Sequence, residues 1–84
     1  MFTMKNIKPV GCIRLDLDNE KLVINIESIN EKSLPVAFIL NYSGEVLEKF
    51  ELIKGTNFIS RIQYATKNYS IRIVNDKNVI TQKI

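Results

Sequence analysis

The chain is expected to be all-β, with about seven short antiparallel strands forming a sandwich or small barrel. Three observations predict this. Apolar and polar residues alternate at a period of two in segment after segment, as strands with one wet face require. Turn-forming residues interrupt these runs at intervals of about 8 to 12 residues. The apolar fraction is rich in isoleucine, whose branched Cβ favours strands over helices.

The elements follow in order. Residues 1–9 are read as an irregular lead-in, because Lys5, Asn6, Lys8 and Pro9 break every apolar run. Ile13, Leu15 and Leu17 alternate with Arg14, Asp16 and Asp18 as a first strand, with Cys12 as a small side chain in it. Asp18 to Lys21 is a turn. Leu22, Ile24 and Ile26 then alternate with Asn25 and Glu27 as a second strand, which Asn30 to Ser33 ends. Val36 to Leu40 is apolar on both faces and predicts a central strand. Pro35 opens it, where a missing N–H costs least.

Tyr42 to Glu45 is a tight turn with Gly44 available for a positive φ. Val46 to Ile53 is ambiguous. Val46, Phe50 and Ile53 also form a helical stripe, but glycine turns on both sides favour a strand. Gly55 is read as a hairpin turn into a strand from Asn57 to Ile62, with the Asn57 side chain closing the turn on nearby backbone. Tyr69, Ile71 and Ile73 form the next strand, Asn75 to Asn78 a turn, and Val79 to Ile84 the last strand.

The bulk numbers bound the function. Eighty-four residues make a single domain, and 45% apolar with 25% charged residues is a globular composition. The net charge of +3 comes from twelve Lys and Arg against nine Asp and Glu, interspersed along the chain. Nucleic-acid surfaces cluster their basic residues. Here the nearest approach to a cluster, Arg61 with Lys67 and Arg72, is spread over three expected strands. The lone Cys12 excludes an internal disulfide. Val10-Gly11-Cys12 lacks the upstream apolar region of a lipoprotein signal, and no run is long enough for a membrane-spanning helix. With no signal peptide read in it, the chain is expected in the cytoplasm by sequence, although the sequence does not itself name the compartment.

Chemistry is sparse. Without histidine there is no Ser-His-Asp or Cys-His arrangement. Cys12 has only Arg14 nearby to activate it, and three separated glycines form no phosphate loop. Asp16, Asp18 and Glu20 could offer oxygens to calcium, but Lys21 stands where a calcium loop needs glycine, and an outward strand face is the better reading. Phe38, Tyr42, Phe50, Phe58, Tyr64 and Tyr69 could stack bases, yet aromatics at strand spacing are more often core. No cofactor and no enzymatic activity are expected.

The second half of the chain carries a further pattern. Asn41 and Gly44 end one strand. Gly55, Asn57 and Ile59 open another. Tyr69, Ile71 and Ile73 form a third, and Lys83-Ile84 ends a basic-apolar tail. With Leu22 to Ile29 included, this arrangement resembles the C-terminal sorting domain of the type IX secretion system. The resemblance implies an immunoglobulin-like β-sandwich that is recognised by secretion machinery and reaches the cell surface.

The combined expectation is a non-enzymatic protein-binding module. Its partner contacts are placed on the last edge strand, at Val79, Thr81, Gln82, Lys83 and Ile84, because an open sheet edge pairs with other chains. The partner is secretion machinery or a second copy through the edge. A structural subunit of a decoration or filament assembly is the alternative, and a small nucleic-acid-binding barrel is a second, disfavoured one. For the carboxylates the expected outcome is negative. Titrating the protein with calcium should leave its Tm unchanged, and a saturating stabilisation that disappears in Asp16→Asn with Asp18→Asn would establish a calcium site there.

Overall fold

The computed structural model describes residues 5–6, 9–64 and 67–84. It contains eight strands: β1 (Lys5–Asn6), β2 (Ile13–Leu17), β3 (Lys21–Ile26), β4 (Val36–Leu40), β5 (Val46–Glu51), β6 (Gly55–Ser60), β7 (Ser70–Asn75) and β8 (Asn78–Lys83). They form two antiparallel four-stranded sheets, in the orders β1-β2-β3-β6 and β5-β4-β7-β8. No helix occurs among the described residues. The all-β sandwich expected from the alternation is the architecture found.

Alternation builds the core directly. Ile13, Leu15 and Leu17 of β2 and Leu22, Ile24 and Ile26 of β3 line the inner face of the first sheet. Ala37 and Ile39 of β4, Ile71 and Ile73 of β7, and Ile80 of β8 line the other. Leu52, Ile59, Tyr64 and Ile84 close the margins. The shortest molecular extent, 18 Å, fits two sheets about 10 Å apart with side chains outside them. β4 is central, between β5 and β7, as its two apolar faces require.

The β4–β5 hairpin is held by Asn41, whose Oδ1 accepts from the N–H groups of Ser43 and Glu45 (both 2.9 Å), with Gly44 at φ +86°. In the constant immunoglobulin arrangement the strand after the third long one crosses to the opposite sheet. Here the hairpin keeps β5 beside β4, and the chain crosses only afterwards.

That crossing corrects the expected hairpin at Gly55. β5 and β6 do not pair. β6 lies on β3 in the other sheet, with Gly55 opposite Ile26 as its first residue. Gly55 does adopt a positive φ, +98°, and Asn57 does close on nearby backbone. Its Oδ1 accepts from Ile53 N–H, and its Nδ2 donates to Ile53 C=O, both at 2.9 Å. The side chain thereby supplies a bridge partner to a residue between the two sheets. Local turn chemistry was legible, but a glycine and asparagine that turn a chain within a sheet also turn it between sheets.

Three boundaries also shift. Lys5–Asn6, inside the expected irregular lead-in, pair with Leu17 and Asp16 as β1, while residues 1–4 and 7–8 lie outside the described residues. Cys12 belongs to the tight turn before β2 and not to the strand, because Val10 and Ile13 bond each other's backbone across it. Arg61 and Lys67 lie in the β6–β7 connection, leaving Arg72 alone on a strand. The turn at Cys12 helps join the sheets at one end. A Cβ on Gly11 would lie 2.2 Å from the Asn78 side chain, and the buried Asn75 donates from Nδ2 to Ser28 C=O at 3.0 Å.

Two substitutions test the crossing. Asn57→Ala should destabilise the protein by about 1–3 kcal/mol, because the Ile53 backbone loses both partners. Gly55→Val should cost a further, separate amount of about 1–3 kcal/mol from backbone strain, although the space around Gly55 is open. Chemical denaturation measures both; a neutral Asn57→Ala would mean that the crossing needs no side-chain support.

Candidate functional site

The expected partner strand is found at a sheet edge. Among the described residues β8 pairs only with β7. The Ile84 N–H bonds Tyr69 C=O at 3.0 Å, continuing the register one residue beyond the strand. Antiparallel ladders alternate bonded and non-bonded pairs. That bond therefore assigns the backbone groups of Asn78, Ile80, Gln82 and Ile84 to β7. The N–H and C=O groups of Val79, Thr81 and Lys83 point away from the sheet, where the Lys83 C=O accepts from Gln82 Nε2 at 3.2 Å and the others face solvent.

The side chains follow the same alternation. Ile80 and Ile84 are buried and Gln82 is half-buried at the core margin. Val79, Thr81 and Lys83 are exposed on the outer face, with Val79 48% exposed. The five expected partner residues thus divide into three whose backbone points outward, Lys83 with only its N–H free, and two that hold the strand down. In the outer face, Val79 continues a row with Val36 and Val74, and Thr81 a row with Phe38 and Arg72.

The other edges differ. β5, opposite β8 in the same sheet, has Lys49 and Glu51 as its outward-bonding residues, by the same alternation from the Leu52 N–H to Pro35 C=O bond. Glu48 faces the inner side, where its carboxylate accepts from the Tyr64 hydroxyl. A register shift in the β4–β5 pairing at Ile39/Leu40 interrupts it further. Charges, an inward carboxylate and a bulge are the usual ways to blunt an edge. β6 exposes the backbone of Thr56, Phe58 and Ser60, but Gly55 bends its start and Arg61 leaves its end to donate to Asp18 C=O. β1 and the Val10–Ile13 bridge cover parts of the β2 edge.

The remaining candidates separate in space or are already engaged. Asp18 is buried, and its Oδ1 accepts from the N–H groups of Glu20 (2.8 Å) and Lys21 (2.7 Å), closing the β2–β3 turn. These bonds close the turn expected at Asp18 to Lys21, and they turn inward a carboxylate that the sequence reading placed on an outward face. The Glu20 N–H is the largest influence holding its carboxyl below the ordinary range. Burial opposes this, while the Lys21 N–H and the charges of Lys21 and Arg61 reinforce it. No group of three or more His, Cys, Asp or Glu residues able to hold a metal occurs among the described residues.

The six aromatics form no single platform. Tyr64 is buried, and Phe50 and Tyr69 pack against the core. Phe38 is half-buried on the outer face of the second sheet, Phe58 is exposed on the outer face of the first, under Lys21 Nζ at 4.9 Å, and Tyr42 stands at the β4–β5 turn. An open groove of about 280 Å³, lined by Leu47, Glu48, Gln63, Tyr64, Lys67 and Tyr69, lies between β5 and the β6–β7 connection. Its carboxylate already accepts from Tyr64, and no sequence signal pointed to it. Cys12 Sγ lies 2.9 Å from Ser28 Oγ and has no basic neighbour to activate it in that contact.

Comparison of the chain with protein-family models, with curated proteins and with solved structures returns no match.

The Asp18 turn makes a pH prediction. Its folded pKa lies below the unfolded one. Its contribution to stability is therefore complete above the ordinary aspartate range, and is lost as pH falls through the depressed folded value. Asp18→Asn should lower stability at neutral pH and flatten the acid limb of stability against pH. An unchanged acid limb in denaturation series from pH 7 to pH 2 would show that the turn does not depend on the ionised carboxylate.

Proposed function

We propose that this chain is a non-enzymatic protein-binding module that takes up an extended segment of a partner on β8. The observation that carries this reading is the outward row of backbone groups at Val79, Thr81 and Lys83, unpaired among the described residues except for the Lys83 C=O, on an edge with one charge. Strand addition needs just that: main-chain groups supply affinity, and side chains beside the edge supply selectivity. The outer-face rows ending at Val79 and Thr81 would meet alternate side chains of the incoming strand. The resemblance to the sorting domain gives one class of partner, a component of secretion machinery. It enters the proposal on the same footing as the strand itself.

Proline substitution separates docking from folding. Thr81→Pro removes an outward N–H and leaves the β7 ladder intact, a position where an edge strand tolerates proline. Gln82→Pro removes an N–H that β7 needs, and should destabilise the fold by about 3 kcal/mol or more. The immobilised protein should capture partner proteins from its own cells, with Thr81→Pro abolishing capture while retaining a cooperative melt. Lys49→Pro, at the corresponding outward position of β5, should leave capture intact. Capture unaffected by Thr81→Pro would remove β8 as the docking element.

A further inference from the structure

We infer that β8 accepts a second copy of itself, antiparallel, on a two-fold axis through Thr81. The inference rests on the reading of β8 as a docking strand and names its partner. A two-fold contact must be self-complementary, because each residue meets its mirror position on the other copy. Three symmetric registers, centred on Ile80, Thr81 or Gln82, bring more than one outward residue of each copy opposite an outward residue of the other. Only the register on Thr81 engages the whole bonded run 78–84 of both copies.

That register is chemically consistent. Thr81 meets Thr81 of the second copy, a favourable cross-strand pair. Val79 meets Lys83 of the second copy, whose aliphatic stem extends the apolar row of Val36, Val74 and Val79. Lys83 is the only charge in β8, and the two copies of it stand at opposite ends of the contact, more than about 13 Å apart. At physiological salt their repulsion is largely screened. The two Arg72 side chains lie three strand spacings apart, roughly 14 Å. The product is one continuous eight-stranded sheet.

The outward run of β5 is shorter, and that of β6, although equal in length to β8, is bounded differently. The outward run of β5 ends where Leu52 turns toward the other sheet, and its outward residues Lys49 and Glu51 are both charged. The run of β6 is bounded by Gly55 at φ +98° and by Arg61. A single strand pair is small beside the roughly 1,200–2,000 Å² of a stable interface, so the dimer is expected at high protein concentration.

The register can be read by cross-linking in a Cys12→Ser background. Opposed residues of a bonded antiparallel pair lie about 5.5 Å apart between Cα atoms, within disulfide reach. Under mild oxidation, Thr81→Cys should form a covalent homodimer by itself. Val79→Cys and Lys83→Cys should each remain monomeric and cross-link efficiently when mixed. Sedimentation equilibrium of the unmodified protein should show concentration-dependent dimers that Thr81→Pro abolishes. A homodimer of Phe58→Cys in place of Thr81→Cys would move the contact to β6 and overturn the inference. A monomer at every concentration, with no cross-linking, would also overturn it. If that monomer still captured proteins through β8, and lost them in Thr81→Pro, the protein-binding reading would stand without the dimer. If capture were indifferent to Thr81→Pro, both would fall.

Discussion

The two-way hydrogen bond between the Asn57 amide and the Ile53 backbone holds the point on which the architecture turns. Up to Glu51 the chain has placed β1, β2 and β3 in one sheet and β4 and β5 in the other. Had the chain folded back at Gly55, β6 would cover β5 and leave β3 without its outer neighbour. Crossing instead gives β3 a partner on both sides and leaves β5 as an edge. A residue in transit between sheets has no ladder to join, and its backbone groups would lose hydrogen bonds. The Asn57 side chain provides both missing partners, and further bonds to Gly55 and Ile24 carbonyls tie it to the strand it opens.

The crossing also completes one core from two half-buried sheets. A chain of this size buries only about 60–65% of its unfolded surface, so little of its apolar surface can be spared. β2, β3 and β7 keep strict alternation, with inner isoleucines and leucines almost wholly removed from water. The ends are secured by polar contacts that need specific shapes: Gly11 against Asn78, Asn75 on Ser28, and Arg61 on Asp18. These contacts join segments far apart in sequence: the first two restrain each sheet relative to the other, and the third ties the end of β6 to the β2–β3 turn of its own sheet.

Legibility in the sequence followed the range of the interaction. The period of two located β2, β3 and β7, the apolar run at Val36 to Leu40 placed β4 centrally, and the glycine turns on either side decided β5 as a strand, because burial and turn chemistry are local patterns. The glycine at φ +98° and the bonding asparagine were also local, and both were legible. Which sheet the next strand joins is decided by Leu22 and Ile59 meeting across the chain, and no local pattern encodes that. The turn at Asp18 to Lys21 was legible, but the Asp18 carboxylate was read as outward because it ends an alternating run, while its bonds to the Glu20 and Lys21 N–H groups draw it inward. The last strand was legible as an element and as an edge candidate. The division of Val79, Thr81 and Lys83 from Ile80 and Ile84 emerged from the Ile84 bond to Tyr69.

Fold and candidate site thus share one origin, because the crossing decides which backbone groups remain free. Residue-resolved amide hydrogen exchange in dilute solution reads that pattern directly. The account predicts slow exchange at alternate residues of the edges: Glu48 and Phe50 in β5, Asn57 and Ile59 in β6, and Ile80 and Gln82 in β8. Lys49, Glu51, Thr56, Phe58, Val79 and Thr81 should exchange fast, while β3, β4 and β7 are protected without alternation. Continuous protection along β5 and β6 together would mean that they pair with each other, and would contradict both the crossing and the assignment of edges.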